Sequence, residues 1–229
     1  MRVVFKRDMG FGDIIMLSGC IKETKKRYKD AEIMLQTKCP EVKSLIPSID
    51  EVVNYDITAD VVCDMNMIYE KRPNCPVWVA FADYLFGKYE LQDIMPSIEL
   101  GEAKKIVNEK HAIIHACKSS PSRTLSKDKW EQIAQGLKLM GYAVVVVGSG
   151  EDFALRNADI NLIDELSLAE IGQYLKGADL FVGIDSGIMH IAQATDVPII
   201  AIFSIASPDF RVWREKDFYS VCQIGRAHV

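Results

Sequence analysis

Near the N-terminus, Asp8-Met9-Gly10-Phe11-Gly12-Asp13 sets two glycines between two carboxylates, where a β-branched run gives way to helical spacing. A dinucleotide loop of the form G-x-G-x-x-G needs glycine at position 15, which is Ile15 here, and the next strand ends in Gln36-Thr37-Lys38 with no carboxylate for a ribose. Asp13 also puts negative charge where a helix start would accept an anion. The loop therefore suits an exposed carboxylate rather than a bound phosphate. The plainer reading is an aspartate that complements the helix dipole.

A second segment, Phe181-Val182-Gly183-Ile184-Asp185-Ser186-Gly187-Ile188-Met189-His190, reads as a buried strand ending in a carboxylate, a hydroxyl and a glycine before a helix opens. Free amides at that helix start can hold an anion, Ser186 can cap it, and Gly187 lets an anion approach the backbone. His190 lies on the same face of the first turn. The alternative is a capped helix with a surface histidine. The loop Cys117-Lys118-Ser119-Ser120-Pro121-Ser122-Arg123-Thr124 joins hydroxyls to two cations. It suits a diphosphate, with paired donors on Arg123 and a compact charge on Lys118; a solvated loop is the other reading. In Gly148-Ser149-Gly150-Glu151-Asp152 a carboxylate at a strand end can take ribose hydroxyls or simply open a helix.

The elements that must position these residues follow from hydrophobic spacing. Val3-Val4-Phe5, then Ile14, Leu17, Ile21 and Tyr28 at helical intervals, then Ile33-Met34-Leu35, make a β-α-β unit. Weaker strands are expected at 51–53 and 60–64, an aromatic helical segment around Trp78, Phe81, Leu85 and Phe86, and a linker from Pro96 to Gly101. The second half predicts strand His111–Ala116, helix Lys127–Met140, strand Ala143–Val147, a short strand near Leu162, helix Leu168–Gly177, strand Leu180–Ile184, helix Ile188–Thr195 and strand Pro198–Phe203. Continuous apolar strands such as Val144 to Val147 belong in parallel sheets covered on both faces. The expected class is α/β, with two Rossmann-like domains whose parallel sheets face a cleft, over 1–98 and 99–223.

Composition narrows the function classes. Hydrophobic residues at 49% and charged residues at 26% fit a globular protein, and no apolar run reaches the ~18 residues of a membrane span. A net charge of −5 argues against a protein that coats nucleic acid. The cysteines, at 20, 39, 63, 75, 117 and 222, form no C-x-x-C pair and have no histidine at zinc spacing, so they read as reduced thiols. The first residues lack a secretory signal, and the chain reads as cytoplasmic. Residues 224–229 back-translate into one frame of a common sequencing adapter and are read as a non-native tail, the alternative being an ordinary polar end.

Taken together, G-F-G-D in the first turn, S-S-P-S-R-T before a K-W helix, and D-S-G-I-M-H-I-A-Q-A-T-D-V-P-I-I-A-I-F resemble glycosyltransferase family 9, the ADP-heptose:lipopolysaccharide heptosyltransferase family. The last stretch is the most specific: Asp185, Ser186, Gly187, His190, Ala192, Ala194, Pro198 and Phe203 all fall on the family pattern. The chain departs from it at Ser204, where glycine is usual, and a family member would continue past residue 223 to a terminal helix.

The resemblance implies a GT-B fold, with the donor held mainly by the second domain and the acceptor by the first. It makes Asp13 the general base, beside an acceptor-side loop with Gly10 and Gly12. It assigns the donor to Lys118, Ser119, Ser120, Arg123, Asp185, Ser186, Gly187, Ile188 and His190, with Glu151 on the ribose. The implied reaction is inverting transfer of a heptose-like sugar from a nucleotide diphosphate such as ADP-heptose to a hydroxyl of a lipopolysaccharide core or other glycan. Amides at Gly187 and Ile188, with Arg123, would stabilise the departing diphosphate, so neither a metal nor a separate cofactor is called for; Asp64-Met65-Asn66, a partial D-x-D match, reads as a strand end. A glycolipid acceptor would bring the protein to the inner face of a membrane. The rivals are a sugar-nucleotide epimerase of GT-B-like fold and a non-catalytic sugar-nucleotide-binding module.

Overall fold

The computed structural model describes residues 1–222 apart from 9, 73, 118–122, 124 and 151. It divides into two compact units, Met1–Leu100 with Asp209–Trp213, and Gly101–Pro208 with the remaining C-terminal residues.

In the first unit, β1 (Arg2–Lys6), β2 (Glu32–Gln36), β3 (Glu51–Val53) and β4 (Val61–Asp64) form an all-parallel sheet in the order β3-β2-β1-β4. β1 lies inside the sheet, with Val3 opposite both Ile33 and Val61. The apolar run Val3-Val4-Phe5 is buried on both faces, as an interior parallel strand requires. Helix α1 (Phe11–Arg27) connects β1 to β2 and buries Ile14, Ile15, Leu17 and Ile21. Lysines and an arginine in its last turn complement the helix dipole. Helices α2 (Val77–Leu85) and α3 (Leu91–Ile94) pack against α1. Phe86, expected within the aromatic helix, is extended and ends it.

The second unit carries β5 (His111–Ile114), α4 (Lys127–Leu139), β6 (Ala143–Gly148), β7 (Ile160–Ile163), α5 (Leu168–Gly177), β8 (Leu180–Ile184), α6 (Gly187–Gln193), β9 (Ile199–Phe203) and β10 (Phe218–Cys222). Its sheet, again parallel throughout, runs β10-β9-β8-β5-β6-β7. Ala112, Ile114, Val144, Val146 and Val182 pack one face against Trp130, Ala134 and Leu137 of α4, while Ile113, Val145 and Phe181 are buried on the other. Ser167 and Glu170 close a reciprocal capping box at the start of α5, and that helix runs over the residues its periodicity predicts. Several bounds differ from expectation. β5 stops at Ile114, α4 at Leu139, and α6 spans Gly187–Gln193 instead of 188–195 because Thr195 turns back onto the carbonyl of Ala192.

In both units the chain winds one way from a central strand and then the other. β1 lies between β2 and β4, and β5 between β6 and β8. Such reversals open crevices beyond the carboxyl ends of the two central strands, where α/β sheets bind ligands.

Candidate active site

At the reversal in the first unit, Arg7 follows β1 directly and crosses to the residue after β4, its Nη1 donating to the Met65 carbonyl at 3.1 Å. Its Nη2 donates to Asp13 Oδ2 at 2.6 Å and Glu70 Oε1 at 2.8 Å, and approaches the Tyr69 hydroxyl at 3.3 Å. The Tyr69 hydroxyl donates to the same Asp13 oxygen at 3.2 Å, and Arg211 Nη1 lies 3.4 Å from the other. Both guanidinium carbons sit 5.0 Å from the centre of the Tyr69 ring, a cation–π arrangement on each. Burial and the Asp13 carboxylate push the Tyr69 phenol above its ordinary range, which keeps it a donor. Burial opposes the charge on Arg7, but the Glu70 and Asp13 carboxylates outweigh it and raise the guanidinium further.

Gly10 makes this placement of Asp13 possible. It caps α1 at φ 86°, in the left-handed region, and its carbonyl accepts the Asp13 amide at 2.8 Å. A Cβ on residue 10 would stand 2.4 Å from Asp13 Oδ2, so a side chain there is both strained and in the carboxylate's place. Gly12 lies within the first turn of α1. Asp13 is thus more than a dipole partner: its oxygens are committed to Arg7, Tyr69 and Arg211.

At the reversal in the second unit, His115 follows β5 and Asp185-Ser186 follow β8. His115 Nδ1 meets Ser186 Oγ at 2.9 Å, joining the two strand ends, while its Nε2 meets Asp152 Oδ2 at 3.2 Å. Asp152 reaches inward because residue 148 is glycine, where a Cβ would stand 2.6 Å from its Oδ2. The Ser149 amide also donates to that oxygen at 3.1 Å. Burial alone would lower the His115 pKa, but Asp152 and Cys117 reverse this and hold it above the ordinary value.

Ser186 caps α6, its Oγ accepting the Met189 amide at 3.4 Å and its carbonyl the His190 amide at 3.2 Å. Gly187 and Ile188 form the start of that helix. Asp185 Oδ1 lies 3.6 Å from His190 Nε2, and Asp185 Oδ2 lies 3.9 Å from Arg123 Nη1. His190 is buried, with Gln193 Nε2 3.2 Å from its Nδ1, so the surface-histidine alternative does not hold. The Arg123 side chain is 47% exposed, so its long pair with Asp185 is weak and exchangeable. Lys118, Ser119, Ser120 and Glu151 lie outside the described residues.

Sequence spacing did not single out Arg7, Tyr69, Glu70 or Arg211 in one unit, nor His115 in the other, and in the segment 148–152 it favoured Glu151 over Asp152. The feature that joins two of them emerges only from the fold: Arg7 and His115 each directly follow the strand, β1 or β5, at which the strand order of its sheet reverses. None of the cysteines at 20, 39, 63, 75, 117 and 222 is joined in a disulfide. Among the described residues no helix is long and apolar enough to cross a membrane.

The family model of glycosyltransferase family 9 (heptosyltransferase) matches residues 81–223. Lipopolysaccharide heptosyltransferase 2 of Salmonella typhimurium is 25% identical over 139 residues, covering 51% of this chain and 40% of that protein. The matched stretch therefore spans less than half the length of this curated relative. The solved glycosyltransferase family 9 protein from Veillonella parvula superposes with a TM-score of 0.78 at 14% identity, covering 98% of this chain and 88% of that one. The ADP-heptose lipopolysaccharide heptosyltransferase II of E. coli gives 0.68 at 17% identity, covering 96% and 90%. At these identities the structures establish a shared GT-B-like fold.

Proposed function

This chain belongs to glycosyltransferase family 9, and on that premise we propose that it transfers a heptose-like sugar from a nucleotide diphosphate to a glycan hydroxyl, with inversion, using Asp13 as general base. The donor is of the ADP-heptose class and the acceptor a lipopolysaccharide core or related cell-surface glycan, as the names of the matched relatives suggest. A glycolipid acceptor would bring the protein to the inner face of a membrane without a spanning helix. The donor is a substrate, and the reading needs no separate cofactor.

The observation that carries the reading is the setting of Asp13. Two guanidiniums and a phenol lie against this carboxylate and hold it in one orientation at the start of α1. Oriented so, it is placed to take the proton as the acceptor oxygen bonds and its hydrogen becomes acidic. In the step, the acceptor oxygen bonds to the anomeric carbon from the face opposite the diphosphate. The carbon–oxygen bond to the diphosphate breaks, the electron pair leaves with it, and the proton passes to Asp13. Arg123 and the amides of Gly187 and Ile188 are proposed to meet the charge that develops on the leaving group. α6 has seven residues, so individual amides rather than a summed dipole would act there.

The test is incubation with ADP-heptose, with and without a lipopolysaccharide-core acceptor. Acceptor-dependent release of ADP supports transfer. Isomerisation of the donor without acceptor would replace this reading with an epimerase, and saturable donor binding with no turnover would replace it with a binding module.

A further inference from the structure

Behind the proposed donor segment, the transfer chemistry leaves a cluster without a role. His115, Cys117 and Asp152 bring one ligand atom each to within 4.8 Å of one another. His115 and Cys117 are buried, and the Asp152 side chain is 6% exposed. The sequence separation hides the group, because Cys117 lies two residues from His115 while Asp152 arrives from the turn after β6.

We propose that His115 Nε2, Cys117 Sγ and Asp152 Oδ2 form a binding site for a thiophilic divalent ion of the zinc type, which fixes the ends of β5 and β6 behind the donor segment. The geometry fits. A tetrahedral ion with bonds of about 2.0–2.1 Å to nitrogen and oxygen separates those two ligands by about 3.3 Å, and here they stand 3.2 Å apart. The Nδ1 of His115 faces Ser186 Oγ. If that nitrogen carries the ring hydrogen, Nε2 turns its lone pair toward Asp152, the usual arrangement of a metal-bound histidine with an outer partner. Two acceptors that close repel unless a proton or a cation lies between them. Thiolate, imidazole and carboxylate together select zinc, cobalt or ferrous ions over magnesium and calcium. Three protein ligands leave the fourth position to a solvent oxygen. The site lies in one unit and does not depend on the transfer reading.

Cobalt(II) serves as the probe, titrated into chelator-treated protein and followed by absorption. The expected result is one saturable ion per chain with a Kd of about 1 µM or tighter. It should show tetrahedral visible bands and a sulfur-to-cobalt charge-transfer band that zinc abolishes and magnesium does not. Cys117→Ser should remove the charge-transfer band, and Asp152→Asn should weaken binding at least about tenfold. Cys222→Ser, at an exposed thiol far along the chain, should change neither. Circular dichroism of each ion-free variant confirms its fold. No saturable binding by the folded parent overturns the site, as does a charge-transfer band that survives Cys117→Ser or disappears with Cys222→Ser.

Discussion

The behaviour of Asp13 turns on what surrounds it. A general base contributes typically 10²–10⁴-fold to rate, so Asp13→Asn, which keeps the shape and part of the hydrogen bonding, should lower turnover by about that factor and leave donor affinity nearly unchanged. Turnover within threefold of the parent at saturating substrates would remove the base role. Arg7→Met tests the support. It leaves Asp13 and Glu70 beside each other without the cation they share, and breaking such a buried pair typically costs about 3–5 kcal/mol of stability. Thermal denaturation should register that loss, whereas Glu70→Gln, at the more exposed carboxylate, should cost far less. The two halves of this constellation were unequally legible in the sequence. Asp13 and Gly10 stand three residues apart, and a turn that close is visible in any reading of spacing. Tyr69 and Arg211 reach the same carboxylate from 56 and 198 positions away, and no local pattern announces such contacts.

Elements were legible where burial forces one kind of residue on them. β6 and β8 lie inside a sheet covered on both faces, so their sequences are apolar throughout and almost any periodicity analysis finds them. β10 escaped because it is an edge strand whose Tyr219 and Val221 are exposed, which leaves it no apolar stripe. The loop after β5 carries the test of the diphosphate assignment. Arg123→Ala should weaken ADP binding much more than adenosine binding, and equal losses by calorimetry would return Arg123 to the role of a surface ion pair. A pH effect belongs to α4. Burial would raise the Glu131 pKa, but the amides of Arg156 and Asn157, donating at 2.8 and 3.0 Å, hold it below the ordinary glutamate range. A folded-state pKa below the unfolded value stabilises above the unfolded pKa and is lost as pH falls through the folded one. The stability gap between the parent and Glu131→Gln should therefore be full near neutrality and close in acid. A gap independent of pH would mean that the carboxylate's charge is not what anchors the 155–157 turn.

At the scale of the whole molecule, one topological device appears twice. Each unit reverses its strand order at a central strand, and each places its charged constellation at that reversal, with Arg7 reaching Met65 across β1 and β4, and His115 reaching Ser186 across β5 and β8. The sequence indicated two β-α-β halves, but not that Asp209–Trp213 returns to the first unit and delivers Arg211 to Asp13. Nothing in the composition of that short stretch distinguishes it from the chain on either side. If the reversals divide the work, donor and acceptor chemistry should separate by unit in a ligand-binding experiment. Hydrogen exchange with ADP at about 100 times its Kd, where a ligand adds about 2.7 kcal/mol to the state that binds it, should protect amides around 148–153 and 183–190. Residues 7–16 should stay at their ligand-free rates. Gly187→Val, which puts a branched side chain where the nucleotide should approach the backbone, should weaken ADP at least tenfold, about 1.4 kcal/mol, and remove that protection. Asp13→Asn should leave the pattern intact, because the proposed base acts on the acceptor. Protection centred on residues 7–16, or lost equally in both variants, would place the nucleotide in the first unit and reverse the assignment of donor and acceptor.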